Sequence, residues 1–370
     1  MIFIELQKSD FEIARSVFKG FDFQVVVRAV IDGSSPGKIW VDDLHNPECG
    51  FMATSEGWFL AGNSEMDEFN NGLRDLVHNM ILRGDYYSPV NPEFLAELFF
   101  HIDTEKWMSK FAVIFDLRPP LPSHRIHFTC NKTTLDWKGK IPEDYSLLTV
   151  DSELDDASLE FAEDIRKWMA HSLEDEKKSG FGKCLVHGNK VVVWINAVCA
   201  SGDECEIGII TTEEYRKRGL GALTAAAVVD HCFSIGYSLV GWHADDGNDG
   251  SIGVAQKVGF VKERDYVHYI CMFSEAVHFA ESGLRHFFGK EYEAAISDFE
   301  NAFQLGEVPD WSYILAARSY GALGDDTSTL KYLIQAKKYG WSNWDLILKN
   351  KELQSLFGKK KWREVVSQLK

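Results

Sequence analysis

Six consecutive residues carry the most explicit chemistry in the chain: Arg216-Lys217-Arg218-Gly219-Leu220-Gly221. An extended run over residues 206–212 precedes them, and an apolar helical run over 222–233 follows. A turn at such a junction exposes the first amides of a helix, which have no intrahelical acceptor, at the positive end of the helix dipole. A pyrophosphate docks there if no side chain blocks its approach. Gly219 and Gly221 keep the approach open, and three cations add long-range attraction. The phosphate-facing set is therefore Arg216, Lys217, Arg218, Gly219, Leu220, Gly221 and Ala222.

Other motifs fail on inspection. Gly219-Leu220-Gly221 lacks the third glycine of a dinucleotide fingerprint, since Leu223-Thr224 stands where it would begin to matter. Asp245-Asp246-Gly247-Asn248-Asp249-Gly250 looks like a calcium loop, but Gly247 and Gln256 occupy the third and twelfth ligand positions and the bidentate glutamate is missing. His124, His127 and His243 read as ordinary core or surface histidines. No metal site is expected.

The pattern R-x-x-G-x-G, followed by N-x-x-S at Asn248 and Ser251 and by K-V-G-F ending at Phe260, resembles the acetyl-CoA site of the GCN5-related N-acetyltransferases (GNAT). Glu206, Thr211, Arg216, Gly219, Gly221, Asn248, Ser251, Gly259 and Phe260 all fall at that family's spacing. The resemblance implies acetyl-CoA as cofactor and direct transfer to an amine. It further implies that the backbone of Ile209, Ile210 and Thr211 serves the oxyanion and the pantetheine arm, that Asn248 and Ser251 reach the arm, and that Lys257 closes the cofactor set. Glu206 becomes the candidate base, although Cys205 stands at the register some relatives use for that carboxylate. The acid for the departing thiolate is usually a tyrosine where this chain has Ala255; Tyr266 is the candidate here, with Tyr269 the other phenol in reach. SSPGKIWVDDLHNP near the start, the lead-in from Trp137 to Tyr145 and EIGIITTEEYRKRGLG resemble the zwittermicin A resistance-type branch.

Composition narrows the partners. The 370 residues are 45% hydrophobic, enough for two or three cores. A formal charge of −17 opposes nucleic-acid binding and favours cationic ligands. Residues 275–370 hold 13 Lys+Arg and 13 Asp+Glu, so the acidity belongs to the part before them. Together with the resemblance, this points to a small cationic amine, polyamine-like or aminopolyol and including an antibiotic, as acceptor. Seven cysteines without a C-x-x-C pair suit reduced thiols in a cytoplasm. No apolar run approaches the roughly 18 residues of a bilayer span, and MIFIELQKSDFE lacks the marks of a leader, so a cytoplasmic protein with no membrane partner is expected.

The elements that must position these residues divide the chain in three. Residues 1–122 read as an α+β domain: a helix capped by the box Ser9 to Glu12, strands over 38–42, 49–54 and 57–62, a helix over 65–82, helical pattern over 92–115, and a proline-rich linker from Arg118 to Pro122. Residues 123–273 form the acetyltransferase domain, an α/β unit whose resemblance implies a mixed central sheet. A helix over 155–177 and strands over 182–187 and 190–200 precede the phosphate turn. Residues 274–370 carry an internal repeat: Ala295, Phe299 and Ala302 recur as Thr329, Leu333 and Ala336, and Gly283 as Ala317, each 34 positions on. That period is the mark of tetratricopeptide helix pairs, which suit a protein or peptide partner and, being only two, should lean on the preceding domain. A final helix near 362–369 would cap them. Two alternatives stay open: a non-catalytic acetyl-CoA-binding or partner-recruiting protein, and acetylation of a protein or peptide amine.

Overall fold

A computed structural model describes residues 3–81, 97–116, 118–151, 154, 158–166, 179–347, 350–357 and 362. The chain is a mixed α/β protein. It divides into two compact units, Met1–Ile270 and Cys271–Lys370.

In chain order the first unit contains β1 (Ile4–Glu5), α1 (Val25–Ile31), β2 (Gly37–Val41), β3 (Cys49–Thr54), β4 (Gly57–Gly62), α2 (Asp67–Leu76), β5 (Glu97–Ile102), α3 (Phe111–Phe115) and β6 (Leu121–Cys130). Then come β7 (Tyr145–Asp151), β8 (Glu160–Phe161), β9 (Ser179–His187), β10 (Lys190–Ser201), β11 (Glu204–Thr211), α4 (Leu220–Ser234), β12 (Leu239–Asp245), α5 (Asp249–Val258) and β13 (Val261–Met272), whose last two residues fall in the second unit. The strands form one sheet in the order β1-β2-β3-β4-β5-β13-β6-β12-β11-β10-β9-β7, with β8 paired to β10. The expected boundary at 122/123 falls inside β6, and the residues on both sides of it belong to the same compact unit.

Most neighbours in the sheet are antiparallel; β4 with β5 and β11 with β12 are parallel, as is the two-rung pair of β8 with β10. Those parallel pairs need crossovers, and α4 provides the second. Alternation along β11 sorts its faces. Cys205 and Ile207 enter the core with Ala222, Ala225 and Val229 of α4, whereas Glu204 and Glu206 turn to the opposite face, where Arg28 and Val25 of α1 meet them.

Several expectations are corrected. Residues 8–14 form a 3-10 helix preceded by Gln7, without a side-chain cap, and Glu12 bonds Arg15 instead of closing a capping box. The helix over 65–82 is α2 followed by a π-helical turn at Val77–Ile81, with residue 82 outside the described residues. The helical pattern over 92–115 contains a strand, β5: Phe99, Phe100 and Ile102 are β-favouring, and they add to the edge of β4. Residues 158–166 hold β8 and one helical turn at 163–166; the rest of the expected helix, 167–177, lies outside the described residues. The linker ends where β6 begins, at Leu121.

The second unit is helical: α6 (Glu275–Phe288), α7 (Tyr292–Leu305), α8 (Asp310–Ala322), α9 (Asp326–Lys338) and the short α10 (Trp344–Ile347). Ala295, Phe299, Ala302 and their counterparts Thr329, Leu333 and Ala336 are all fully buried. Gly283 is where α6 meets α7, since a Cβ there would lie 2.9 Å from the Phe299 ring. Of the expected capping helix, only Trp362 is among the described residues.

Candidate active site

The strands β11 and β12 pair over three rungs, Glu204 with Leu239, Cys205 with Val240 and Glu206 with Gly241. β11 then continues through Ile209, Ile210 and Thr211, still paired to β10 on its far side, while β12 turns to β6 alone. Among the described residues the β12-facing backbone of that stretch has no strand partner. It forms one wall of a fork whose apex is Glu206.

At the outer end of the fork the chain makes a 3-10 turn, Glu213–Tyr215, and enters α4 through Gly219 in the left-handed conformation (φ 80°). Lys217, at φ 61°, shares that conformation at a residue with a side chain. Gly219 is required by its φ and Gly221 by space. A Cβ on Gly221 would lie 3.1 Å from Thr211 Oγ1 and 3.3 Å from Ile209 Cδ1. Leu223 N–H closes onto Gly219 O, so the amides of Leu220, Gly221 and Ala222 precede the first bond of the helix ladder. Arg216 Nε donates to Thr211 O at 2.9 Å, Arg218 lies over the Tyr215 ring, and Lys257 Nζ is the group nearest to Gly219. The predicted phosphate-facing residues and Lys257 are thus brought together. Asn248 and Ser251 are used locally: Asn248 Oδ1 accepts the Ser251 N–H as the cap of α5, and Ser251 Oγ accepts Trp242 Nε1–H at 3.0 Å.

The apex is built from groups far apart in sequence. Glu206 is 3% exposed. One of its oxygens accepts Val25 N–H at 3.1 Å and lies 3.0 Å from His243 Nε2; the other accepts Cys199 Sγ–H at 3.3 Å. Burial drives the carboxyl toward protonation, but the positive charge that His243 carries when protonated, its N–H, and then Val25 N–H overcome it and hold its pKa at about 2. A buried carboxylate costs several kcal/mol unless paired and hydrogen-bonded, and these donors offset that cost. Gly241 makes room, since a Cβ there would lie 2.8 Å from Glu206 Cγ.

His243 Nδ1 lies 2.8 Å from the Tyr266 hydroxyl. An ionised carboxylate only accepts, so His243 carries its proton on Nε2, and Nδ1 accepts from Tyr266 in the neutral ring. His127, directly across from His243 in the register, stacks on it with centroids 4.5 Å apart. Burial, then the charge that His243 carries when protonated, lowers the His127 pKa to about 4 and keeps that ring neutral. Burial raises Tyr266 to about 12, against the pull of Arg125 and the Gln24 amide. Tyr269, by contrast, is buried against Phe111.

His127, Glu206 and His243 each place a ligand-type atom within 4.8 Å of the others, a grouping the sequence reading missed. The two rings are stacked, so their in-plane lone pairs do not converge, and both nitrogens of His243 are engaged. Glu206 and His243, continued by Tyr266, form a hydrogen-bonded chain better suited to moving protons than to caging a cation. The turn between β3 and β4 adds Glu56, whose carboxyl burial and the charge of Glu206 raise to about 7. Neither Glu56, Gly241 nor Gln24 carries a sequence motif; only the alternation of β11 could have marked the Glu206 face.

This architecture has solved counterparts. A GCN5-related N-acetyltransferase-like protein of Streptococcus suis shares the fold, with a TM-score of 0.52 at 19% identity over 71% of this chain and 98% of that chain. The uncharacterized N-acetyltransferase YdfB of Bacillus subtilis is 26% identical over 266 residues, 72% of this chain and 97% of YdfB. A model of the GNAT acetyltransferase family matches residues 15–269, a span that takes in the fork, the phosphate turn and the buried Glu206, and the chain belongs to that family as an N-acetyltransferase.

Proposed function

We propose that the protein transfers the acetyl group of acetyl-CoA directly to an amine of a small cationic acceptor, polyamine-like or aminopolyol. The observation that carries this reading is the buried, ionised Glu206 at the apex of the fork, an anion at the point where an acceptor amine would meet a thioester. Members of the family use acetyl-CoA. The residues present suit it: Gly219 and Gly221 keep a cradle clear, the amides of Leu220, Gly221 and Ala222 face it, and Arg216, Lys217, Arg218 and Lys257 surround it with positive charge. When bound, acetyl-CoA supplies an activated thioester.

The chain's own residues do the rest. The edge of β11 from Ile209 to Thr211 that β12 leaves without a strand partner holds the pantetheine arm and offers donors to a developing oxyanion. Glu206 draws the amine in and, through His243, governs its proton, and Tyr266 meets the reacting atoms. Asn248 and Ser251 shape the loop beside the arm. The formal charge of −17 supports a cationic acceptor, and the likeness to the zwittermicin A resistance type brings an antibiotic aminopolyol into the class. We assign the protein to the cytoplasm; no described helix is long and apolar enough to cross a membrane. The helices α6 to α9 serve as tetratricopeptide-type pairs offering a surface to a peptide or protein partner.

The test is a screen of polyamines, aminoglycosides and aminopolyols for CoA release from acetyl-CoA by the full chain. Acetylation of at least one cationic amine is expected. Acetyl-CoA binding with no release across the panel would overturn the reading in favour of a cofactor-binding protein.

A further inference from the structure

Glu206, His243 and Tyr266 form an unbroken hydrogen-bonded line across three strands, 3.0 Å and 2.8 Å between successive partners. It starts at a carboxylate with no exposure to speak of and ends at a phenol. Val25 N–H, Cys199 Sγ–H and His243 Nε2–H take three of the roughly four lone-pair sites of Glu206, and burial at 3% exposure closes off direct approach of an acceptor amine to the carboxylate. Tyr266 is the outermost member. Its ring is braced edge-on by Phe23 at 5.4 Å and by His243 at 5.5 Å, and His101 lies beyond at 6.1 Å. The neutral His127 ring covers the other side of His243.

We infer that Tyr266 is the group that exchanges protons with the reacting atoms, and that His243 is a positioning and proton-storing residue behind it, oriented by Glu206 and His127. This rests on the amine-acetylation reading above. The step balances. The acceptor nitrogen forms a bond to the acetyl carbon and the carbon–sulfur bond breaks. Tyr266 accepts the proton the nitrogen sheds while passing its own hydroxyl proton to His243 Nδ1. The resulting imidazolium, with Nε2–H still on Glu206, is neutralised by that carboxylate. The proton then returns from Nδ1 to Tyr266 and from Tyr266 to the released sulfur. One line serves both ends of the reaction, and Ala255, which has no phenol to offer, needs no substitute of its own.

The line also dictates a tautomer, which is observable without turnover. In the full chain labelled with 15N-histidine, His243 is expected as the Nε2–H form with Nδ1 unprotonated and accepting. Tyr266→Phe should shift the Nδ1 resonance while leaving the proton on Nε2, and Glu206→Ala should give a mixture of tautomers. An Nδ1–H form in the wild type would overturn the inference, because Tyr266 would then have nowhere to send its proton. Turnover gives the second readout, with spermidine as probe amine. Tyr266→Phe and His243→Ala should each lower kcat roughly 100-fold, with KM for acetyl-CoA within about threefold, and the double variant should be no worse than the poorer single one. The wild-type rate should bow downward in mixtures of light and heavy water, as two protons in flight require, and become linear in Tyr266→Phe. Losses that multiply in the double variant, or a Tyr266→Phe rate within threefold of wild type, would sink the relay. If the wild type does not acetylate spermidine, the acceptor class is what has failed, and the His243 spectrum still decides the relay.

Discussion

The sheet contains the same motif twice, and only one copy is equipped for chemistry. In the first copy β3 and β4 form a hairpin, α2 follows, and β5 returns parallel to β4 over three rungs from Trp58 with Phe100 to Leu60 with Ile102. In the second, β10 and β11 form the hairpin, α4 follows, and β12 returns parallel to β11 over three rungs. The differences are local. The last rung of the first copy is a leucine against an isoleucine; in the second it is Glu206 against Gly241, and only a glycine leaves room for the carboxylate. β4 stops at Gly62, two residues past its last rung, whereas β11 runs five further, to Thr211, without a β12 partner. α2 opens with Asp67 and Glu68, which repel an anion, while α4 opens behind Arg216, Lys217 and Arg218. Topology alone does not make this site; an overhang, a glycine and the sign of one helix entrance do.

The largest effect should come from reversing that sign. Gly219→Asp or Gly221→Asp adds a carboxylate, and at Gly221 also bulk within 3.1 Å of Thr211 Oγ1, where phosphate must approach. Thermal protection by acetyl-CoA should vanish, a loss of at least about 100-fold in affinity by the linkage of ligand to stability. Undiminished protection in either variant would remove the cofactor from this turn.

Next comes the rung itself. Glu206→Gln should lower turnover roughly 100-fold and leave acetyl-CoA affinity within about twofold, the signature of a group used in the reaction and not in cofactor binding. The deficit should shrink at alkaline pH, where the amine sheds its proton unaided; a constant deficit would leave Glu206 as a purely structural anchor. The matching change in the silent copy, Leu60→Ala, should cost about 2–5 kcal/mol of stability, since Leu60 is fully buried, without changing kcat per folded molecule.

A smaller effect separates the two copies in acid. His127 titrates near 4 in the fold and near 6.5 when unfolded. The unfolded chain therefore takes up its proton first. The contribution of His127 is whole above pH 6.5 and is lost as pH falls from 6.5 to 4, by at most about 3 kcal/mol. His243, Glu206, Glu263 and Arg264 are the charges that bear on it. Melting temperatures of His127→Gln should fall less steeply than wild type across that window; parallel curves would refute the assignment. The smallest effect is expected from a chain ending near Phe273, which should keep acetyl-CoA affinity within about threefold, because every proposed contact lies between Glu206 and Lys257; calorimetry would show a larger loss.

Much of this was legible in one dimension. Alternation and turn residues predict β3 and β4 to the residue, and the glycine pattern places the entrance to α4 within two positions. β5 is missed because Glu97 to Ile102 is a short apolar run with a single acid, five positions after Pro92, and such a run fits either period. The phosphate turn is contiguous, so its chemistry can be read from six letters. The apex is assembled by register: His127 and His243 are cross-strand neighbours 116 positions apart, and Val25 reaches Glu206 across 181. Nothing local in either residue announces such a partner.

The break in composition at Arg118 to Pro122 looks like a joint between modules, yet β6 begins there and lies between β12 and β13, with β5 on the far side of β13. Exchanging the first 122 residues with those of another protein would leave β13 with an open edge in the centre of the sheet and would strip Val25 from Glu206. Recombination that keeps the sheet whole has its natural crossover elsewhere, just after β13 ends at Met272, close to where one compact unit gives way to the other.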